Sequence, residues 1–395
     1  MNHSFVNPIL RGRSTGIKIL LFLVLFIIIV SCTNRSVQSP TIIQFVYTSD
    51  SHFGIRRNTF QGDSNVTADV VNAAMVIKIN TLPELTLPED SGVNAGKQVG
   101  SIDYLINTGD IANREEEGIQ SASASWKQFT HVFLEGLTIK NSQNQRSTIL
   151  LAPGNHDITN TIGFYRPMNP LTDNSSMVGI YNYMFPSTPK TKDTFQYAVD
   201  KIHYSKNIAG MHFVFVSLWP DSSERIWLSN DLRSVKSTTP VLLFTHDEPN
   251  VESKHFTNPN GAHTINPTDK FENLLQEVFK DGPSVSDPSI IEQREFVAFL
   301  KKHRNIKVYF HGNDNENRYY DYKGPDNDID LKIIQVDSPM KGNYSRYDET
   351  KLSFQLVTID AKEKLLTVRE CLWNSDPTNP ATPVKWGATT TISLL

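Results

Sequence analysis

Tyr47-Thr-Ser-Asp-Ser-His-Phe-Gly54 is the stretch that decides the reading of this chain. It closes the run Ile42-Ile-Gln-Phe-Val-Tyr-Thr48, which is β-branched and aromatic and reads as a first strand. Two metal-type side chains, Asp50 and His52, follow one residue apart. In extended chain that spacing puts both on one side. Three later segments repeat the arrangement at the ends of apolar runs: Asn107-Thr-Gly-Asp110, Pro153-Gly-Asn-His-Asp157 and Phe244-Thr-His246. A fifth, His311-Gly-Asn-Asp-Asn315, ends the strand-like Ile306-Lys-Val-Tyr-Phe310.

Between these strand ends the apolar spacing changes to helical. Val66 to Ile79, Ser121 to Leu137, Glu224 to Val235, Phe271 to Phe279 and Ile290 to Lys302 are predicted helices. Further predicted strands are Tyr104–Asn107, Thr148–Ala152, Met211–Ser217, Val241–Thr245, Leu331–Val336, Leu352–Ile359 and Leu365–Leu372. Residues 81 to 100 hold Pro83, Pro88, Gly92, Gly96 and Gly100 and read as a loop. Residues 158 to 200 are irregular and rich in Pro, Asn, Ser and aromatics, either a substrate wall or a packed surface excursion. Strands alternating with helices imply an α/β fold. In such sheets ligands bind beyond the carboxyl ends of the strands, where all five segments stand.

The chemistry follows from the donors. A carboxylate such as Asp110 has two oxygens and can bridge two cations. Asn155 offers a neutral hard oxygen, and His246 an imidazole nitrogen. Mixed oxygen and nitrogen donors suit Mn, Fe, Zn or Mg. Two cations held roughly 3.5–4 Å apart clamp a phosphoryl group and activate a water. His156, next to a ligand, is placed to give a proton to the leaving oxygen, with Asp157 or Asp50 to orient it. The other histidines, among them His131, His203, His212, His255, His263 and His303, read as surface or satisfied core residues, with His255 or His263 able to reach substrate.

Taken together, Asp50-x-His52, Gly109-Asp110, Gly154-Asn-His156 and His246 resemble the ordered motifs of the calcineurin-like metallophosphoesterase superfamily, over about residues 42 to 320. The resemblance implies a four-layer fold of two packed mixed β-sheets flanked by helices, with a dinuclear centre and a metal-bridging hydroxide as nucleophile. By position, Asp50 and His52 would hold the first metal and Asp110 would bridge. Asn155 and His246 would hold the second, and His156 would be the proton donor. The fifth motif departs from the family's Gly-His-x-His, since both imidazole positions, Asn313 and Asn315, carry amides. Amide oxygens are weaker and harder donors, which tilts the site toward Mn, Mg or Ca unless His311 or Asp314 compensates. The alternative reading is a catalytically attenuated surface lipoprotein that binds a phosphorylated ligand or a partner. Asn113, three residues after Asp110, excludes the purple acid phosphatase variant, which has Tyr there.

The N-terminus reads as an export signal. Arg11, Arg13 and Lys18 precede an unbroken apolar run from Ile19 to Val30, 12 residues long. A spanning helix needs roughly 20 residues. The run ends Ile29-Val-Ser-Cys32, which resembles a bacterial lipoprotein signal with lipidation at Cys32. The expected organisation is a signal over 1–31, a tether over 32–41 and a phosphoesterase domain over 42–395. That places the protein on a membrane surface of the bacterial cell envelope, acting on a phosphorylated small molecule or lipid. Cys371, the second of 2 cysteines, lies in a strand-like run and reads as a core residue. The net charge is −4, and no basic stripe suggests nucleic acid.

Overall fold

The computed structural model describes residues 41–113, 120–159, 174–196, 199–250 and 288–395. β1 (Ile42–Thr48) lies at the centre of a six-stranded sheet with the order β14-β13-β12-β1-β4-β5, where β4 is Tyr104–Asn107, β5 Thr148–Leu151, β12 Ser353–Asp360, β13 Leu365–Leu372 and β14 Lys385–Ser393. β1, β4 and β5 run parallel, and β12 to β14 are antiparallel. The second six-stranded sheet has the order β10-β11-β9-β8-β7-β6. Its strands are β6 (Tyr204–Ile208), β7 (Met211–Phe215), β8 (Val241–Phe244), β9 (Ile306–His311), β10 (Arg318–Tyr322) and β11 (Leu331–Gln335). β7, β8, β9 and β11 are parallel to their neighbours, and β6 and β10 close the edges antiparallel.

Alternation along β1 explains why two sheets stack. Ile43, Phe45 and Tyr47 point one way and join Phe213, Phe215, Phe244 and Phe310 of the second sheet in one apolar layer. The ring of Phe45 meets Phe213, Phe244 and Phe310 edge-on at 6.0, 5.9 and 5.9 Å. Val46 points the other way, into a second core that also takes in Val71 and Met75 of α1 (Ala68–Thr81) and Phe129 of α2 (Ala122–Phe129). On the far side Phe296 of α6 (Pro288–Lys302) meets Tyr309 of β9. The result is the four-layer α/β arrangement, two mixed sheets flanked by helices.

The parallel strands need crossovers, and these are α1 between β1 and β4, α2 between β4 and β5, and α5 (Ser222–Asp231) between β7 and β8. Two short helices, α3 (Asn155–Thr159) and α4 (Ser175–Met184), follow β5. α4 occupies part of the stretch expected to be irregular. α2 opens at Ser121, whose hydroxyl accepts from Ala124 N, and ends in a π turn over Thr130–Glu135. The predicted helix at 271–279 lies outside the described residues.

Five strands escaped the sequence reading. β2 (Arg56–Phe60) and β3 (Asp63–Thr67) form a hairpin whose two-residue turn, Gln61-Gly62, has positive φ at both positions. Neither strand has an apolar face to signal it. β10 and β14 are edge strands with mostly exposed or half-buried residues, and β6 is the antiparallel edge beside β7. Cys371 is buried within β13, its thiol pushed well up by burial, as expected of a core residue. Among the described residues no helix is long and apolar enough to cross a membrane.

Candidate metal centre

All five segments begin where parallel strands end, so their loops meet at one edge of the molecule. The ladder continues past the strands: Asp50 N donates to Gly109 O at 2.9 Å, His52 N to Asp110 O at 2.8 Å and Phe53 N to Ile111 O at 2.9 Å. The backbone there is not extended. Asp50, His52 and Asp110 have φ of 56°, 44° and 48°, and Asn313 and Asn315 have 59° and 53°. Asp50 and His52 therefore do not share a side by strand alternation, as the sequence spacing suggested; a left-handed turn at each brings them together. Left-handed backbone at non-glycine residues is a strain concentrated at functional sites.

Glycine allows the loops to close on one another. A Cβ on Gly154 would stand 2.3 Å from Asp110 Oδ1 and 2.8 Å from His246 Cε1. On Gly312 it would meet Ser49 Oγ at 2.1 Å and Asp50 Oδ2 at 2.3 Å.

Asp110 is the hub. His52 Nε2 and His156 Nε2 lie 3.6 and 3.7 Å from its Oδ2, and His246 Nε2 lies 3.4 Å from its Oδ1. Two buried donor groups result, His52–Asp110–His156 and Asp50–Asp110–His246. The resemblance pairs Asp50 with His52, which are 3.5 Å apart, but the clusters set Asp50 with His246 and His52 with His156. Asn155 Oδ1 faces His246 Nε2 at 3.1 Å, so amide and imidazole converge on one point. His246 Nδ1 donates to Thr108 O at 2.8 Å, which aims Nε2 at the carboxylates. Burial would raise the Asp110 carboxyl, but the charges of His246, His156 and His52 outweigh it and hold it well below the usual range. For His246, burial opposes the charge, yet Asp110 pulls its pKa well up.

A divalent ion fits these residues. Asp50 Oδ1, His52 Nε2 and Asn315 Oδ1 are buried and have no hydrogen-bond partner. Buried polar atoms are otherwise paired, and these three are acceptor types suited to a cation.

The fifth motif divides. Asn313 N donates to Asp50 Oδ2 at 3.0 Å, and its Nδ2 donates to Glu248 Oε2 at 2.8 Å. Asn315 Nδ2 donates to Asn313 O, leaving Oδ1 as described. His311 does not compensate: it is buried, with Nδ1 against Gly312 O at 2.9 Å and Nε2 against Tyr320 Oη at 3.1 Å. Burial pushes its pKa down to about 3.

Asp157 does not contact the reacting side of the site. Its carboxylate accepts from Ile111 N (3.1 Å), Ala112 N (2.9 Å), Gly154 N (3.0 Å) and Ser176 Oγ (2.6 Å). It is a positioning residue that ties the Asp110 and Asn155 loops together. Burial, with the Asp110 charge, pushes it up to about 6. The neighbour of His156 is instead Lys341, whose Nζ lies 3.3 Å from His156 Nε2. Lys341, Glu248 and the Thr108 carbonyl are the residues sequence reasoning missed. Glu248 stands two residues past His246 and Lys341 a few residues past β11, both in loops that follow parallel strands but outside the metal-type motifs. His203 and His212 are satisfied, on Glu224 and on Asn207 and Asp231, as expected. His255 and His263 lie outside the described residues.

The family model for calcineurin-like phosphoesterases matches residues 43–337. The chain belongs to that family. No curated protein matches it significantly. Solved structures similar to this member of the family include a conserved predicted phosphoesterase from Streptococcus pneumoniae TIGR4, at 8% identity over 89% of this chain and 98% of that one, with a TM-score of 0.31. Vps29 from Entamoeba histolytica complexed with zinc is 9% identical over 89% and 100%, with a TM-score of 0.32. The calcineurin-like phosphoesterase YfkN from Bacillus subtilis is 9% identical over 89% and 91%, also at 0.32. Family membership, with the buried His and Asp clusters, supports metal-dependent phosphoester hydrolysis at the general level.

Proposed function

We propose that the chain hydrolyses a phosphomonoester or phosphodiester at a two-metal centre, as an exported enzyme anchored by lipid at Cys32. The observation that carries the reading is the pair of buried donor groups sharing Asp110. Asp50, His52, Asp110, Asn155, His246 and Asn315 would hold the ions, drawn from Mn, Fe, Zn or Mg. Bound divalent ions neutralise charge developing on the phosphoryl group and activate water.

The chain's own residues supply the rest. Asp110, ionised by its three imidazole neighbours, keeps both oxygens directed at the donor clusters. His156 is positioned by its backbone N–H, which donates to Asp110 Oδ1 at 2.9 Å. Lys341 Nζ stands 3.3 Å from its Nε2, so the two groups together would supply the proton for the leaving oxygen. Asp157 holds the two loops in register.

The test assays the full chain, purified in detergent, on p-nitrophenyl phosphate and bis-p-nitrophenyl phosphate with each metal, alongside metal analysis. Turnover with one metal and two ions per chain is expected. Absence of both turnover and bound metal with every ion tested removes the reading. A second reading, a site that retains a phosphate ester without turnover, is favoured by the Asn313 amide being held by Glu248. Ligand binding that survives Asp110→Asn would support it. For the anchor, labelled palmitate should enter the chain and be lost in Cys32→Ser.

A further inference from the structure

Beside the donor clusters, the β2 strand and the turn from Ser338 to Ser345 enclose a pocket of about 340 Å³. Its lining includes Arg56, Arg57, Lys341 and Arg346 and no carboxylate. Two residues join it to the candidate centre. Asn315, a candidate ligand, is part of its wall, and Lys341 reaches 3.3 Å from His156. We propose that the substrate carries a second anionic group, a phosphate or carboxylate, and that this pocket holds it. The inference rests on the phosphoesterase reading and narrows its substrate class.

The pocket is built rather than incidental. Ser338 Oγ donates to Asp50 O at 2.9 Å and accepts from Met340 N and Lys341 N at 3.1 and 2.9 Å. Asn343 N donates to Asn315 O at 2.6 Å, and its Nδ2 to Asp314 O at 2.7 Å. The turn is thus clasped to both ligand loops. Arg57 is buried, its guanidinium donating to Thr59 O, Pro339 O and Ser345 O, so it braces the turn from below. Asp337 and Glu349 stand behind Arg57 and outside the lining. Arg56 and Arg346 are exposed on the rim. Arg56 uses one N–H on Asn65 O, and the Arg346 guanidinium lies over the Tyr347 ring at 4.6 Å.

Arg57 is faced by Glu349 and Asp337 from behind, but Arg56 and Arg346 on the rim add positive charge beside Lys341 that an entering anion would offset. A volume of this size suits a small ligand group and its linker. A single phosphate seated on the metal ligands would leave Arg56 and Arg346 unused. A second anion on the same molecule would reach them, and guanidinium forks match either phosphate or carboxylate.

The experiment measures binding to the full chain, loaded with Mn, by isothermal titration. The probes are glycerol 3-phosphate, 3-phosphoglycerate and 1,3-propanediol bisphosphate. Wild type should bind at least one doubly anionic probe about tenfold or more tighter than glycerol 3-phosphate, and the better of the two identifies the second group. In Arg56→Ala/Arg346→Ala that ratio should fall to within about twofold of one, and Lys341→Met should lower it too. Equal affinity for all three probes in wild type overturns the proposal, as does a preference that survives the double variant. Failure of the phosphoesterase reading has a separate signature: arginine-dependent tight binding with no inorganic phosphate released from any probe.

Discussion

The two sheets bring unequal donors to the same edge. From the first come Asp50, His52, Asp110 and Asn155, on loops that extend the parallel ladder beyond β1 and β4. From the second come His246 and a loop of amides. Asp50, His52 and Asp110 of the first sheet all belong to the buried donor clusters, whereas in the fifth motif Asn313 is tied to Glu248 and Asn315 alone offers a buried, unpartnered oxygen. The second sheet therefore contributes one imidazole to the clusters, His246, and otherwise a scaffold. The difference lies in which loops carry carboxylates and imidazoles.

The widest gap should appear on deleting the hub. Asp110→Asn is expected to lower turnover by about 10³-fold or more, equivalent to about 4 kcal/mol, with metal content falling in parallel. Asn313→Ala should lose far less. Equal losses in the two variants would erase the contrast between the sheets.

Support for the first sheet can be tested away from the site. Arg369 is fully buried in β13 and pairs with Asp90 at 2.8 Å, tying the loop before β4 to the sheet. Burial opposes ionisation of Asp90, but the hydrogen bonds and charge of Arg369 hold its pKa below the usual value. A depressed carboxyl stabilises the fold above its unfolded pKa and loses that contribution as pH falls through the folded one. Asp90→Asn should therefore destabilise by about 3 kcal/mol at pH 7 in urea unfolding, and the difference should shrink below about pH 4. A difference independent of pH would show that the pair contributes no ionic stabilisation.

Loop closure is the next lever. Gly154→Ala places a methyl against Asp110 and His246, and Gly312→Ala places one against Ser49 and Asp50. Each should reduce melting stability by about 2 kcal/mol and weaken metal binding, and Gly154→Ala should have the larger effect on metal content because it displaces the hub. The smallest change restores an imidazole. Asn315→His should raise zinc affinity about tenfold, roughly 1.4 kcal/mol, while Asn313→His should raise it less because that position is held by Glu248. Equal gains would mean that Asn313 also reaches the metal.

Much of the fold was legible because buried parallel strands carry a strong apolar signal. β1 and β4, which pair in parallel, were expected at their observed bounds. The hairpin of β2 and β3 was not, since exposed strands lack that signal, and it forms one wall of the cationic pocket. Within the site, Asp50, His52, Asp110, Asn155 and His246 were legible as polar residues closing apolar runs. Asp157 was misread as orienting His156, because adjacency in sequence says nothing about whether a carboxylate faces a cavity or a loop's backbone.

The amino-acid sequence by itself determined the alternation of strand and helix, the five loops that carry donors and the replacement of two imidazoles by amides. These are local properties, set by side-chain type and periodicity. Tertiary structure alone decided that Asp110 is the hub, that Asn313 and Asn315 differ, and that Lys341 meets His156 across 185 positions of chain. Such facts depend on how two sheets stack and how far a glycine lets two loops approach, and no local pattern encodes them.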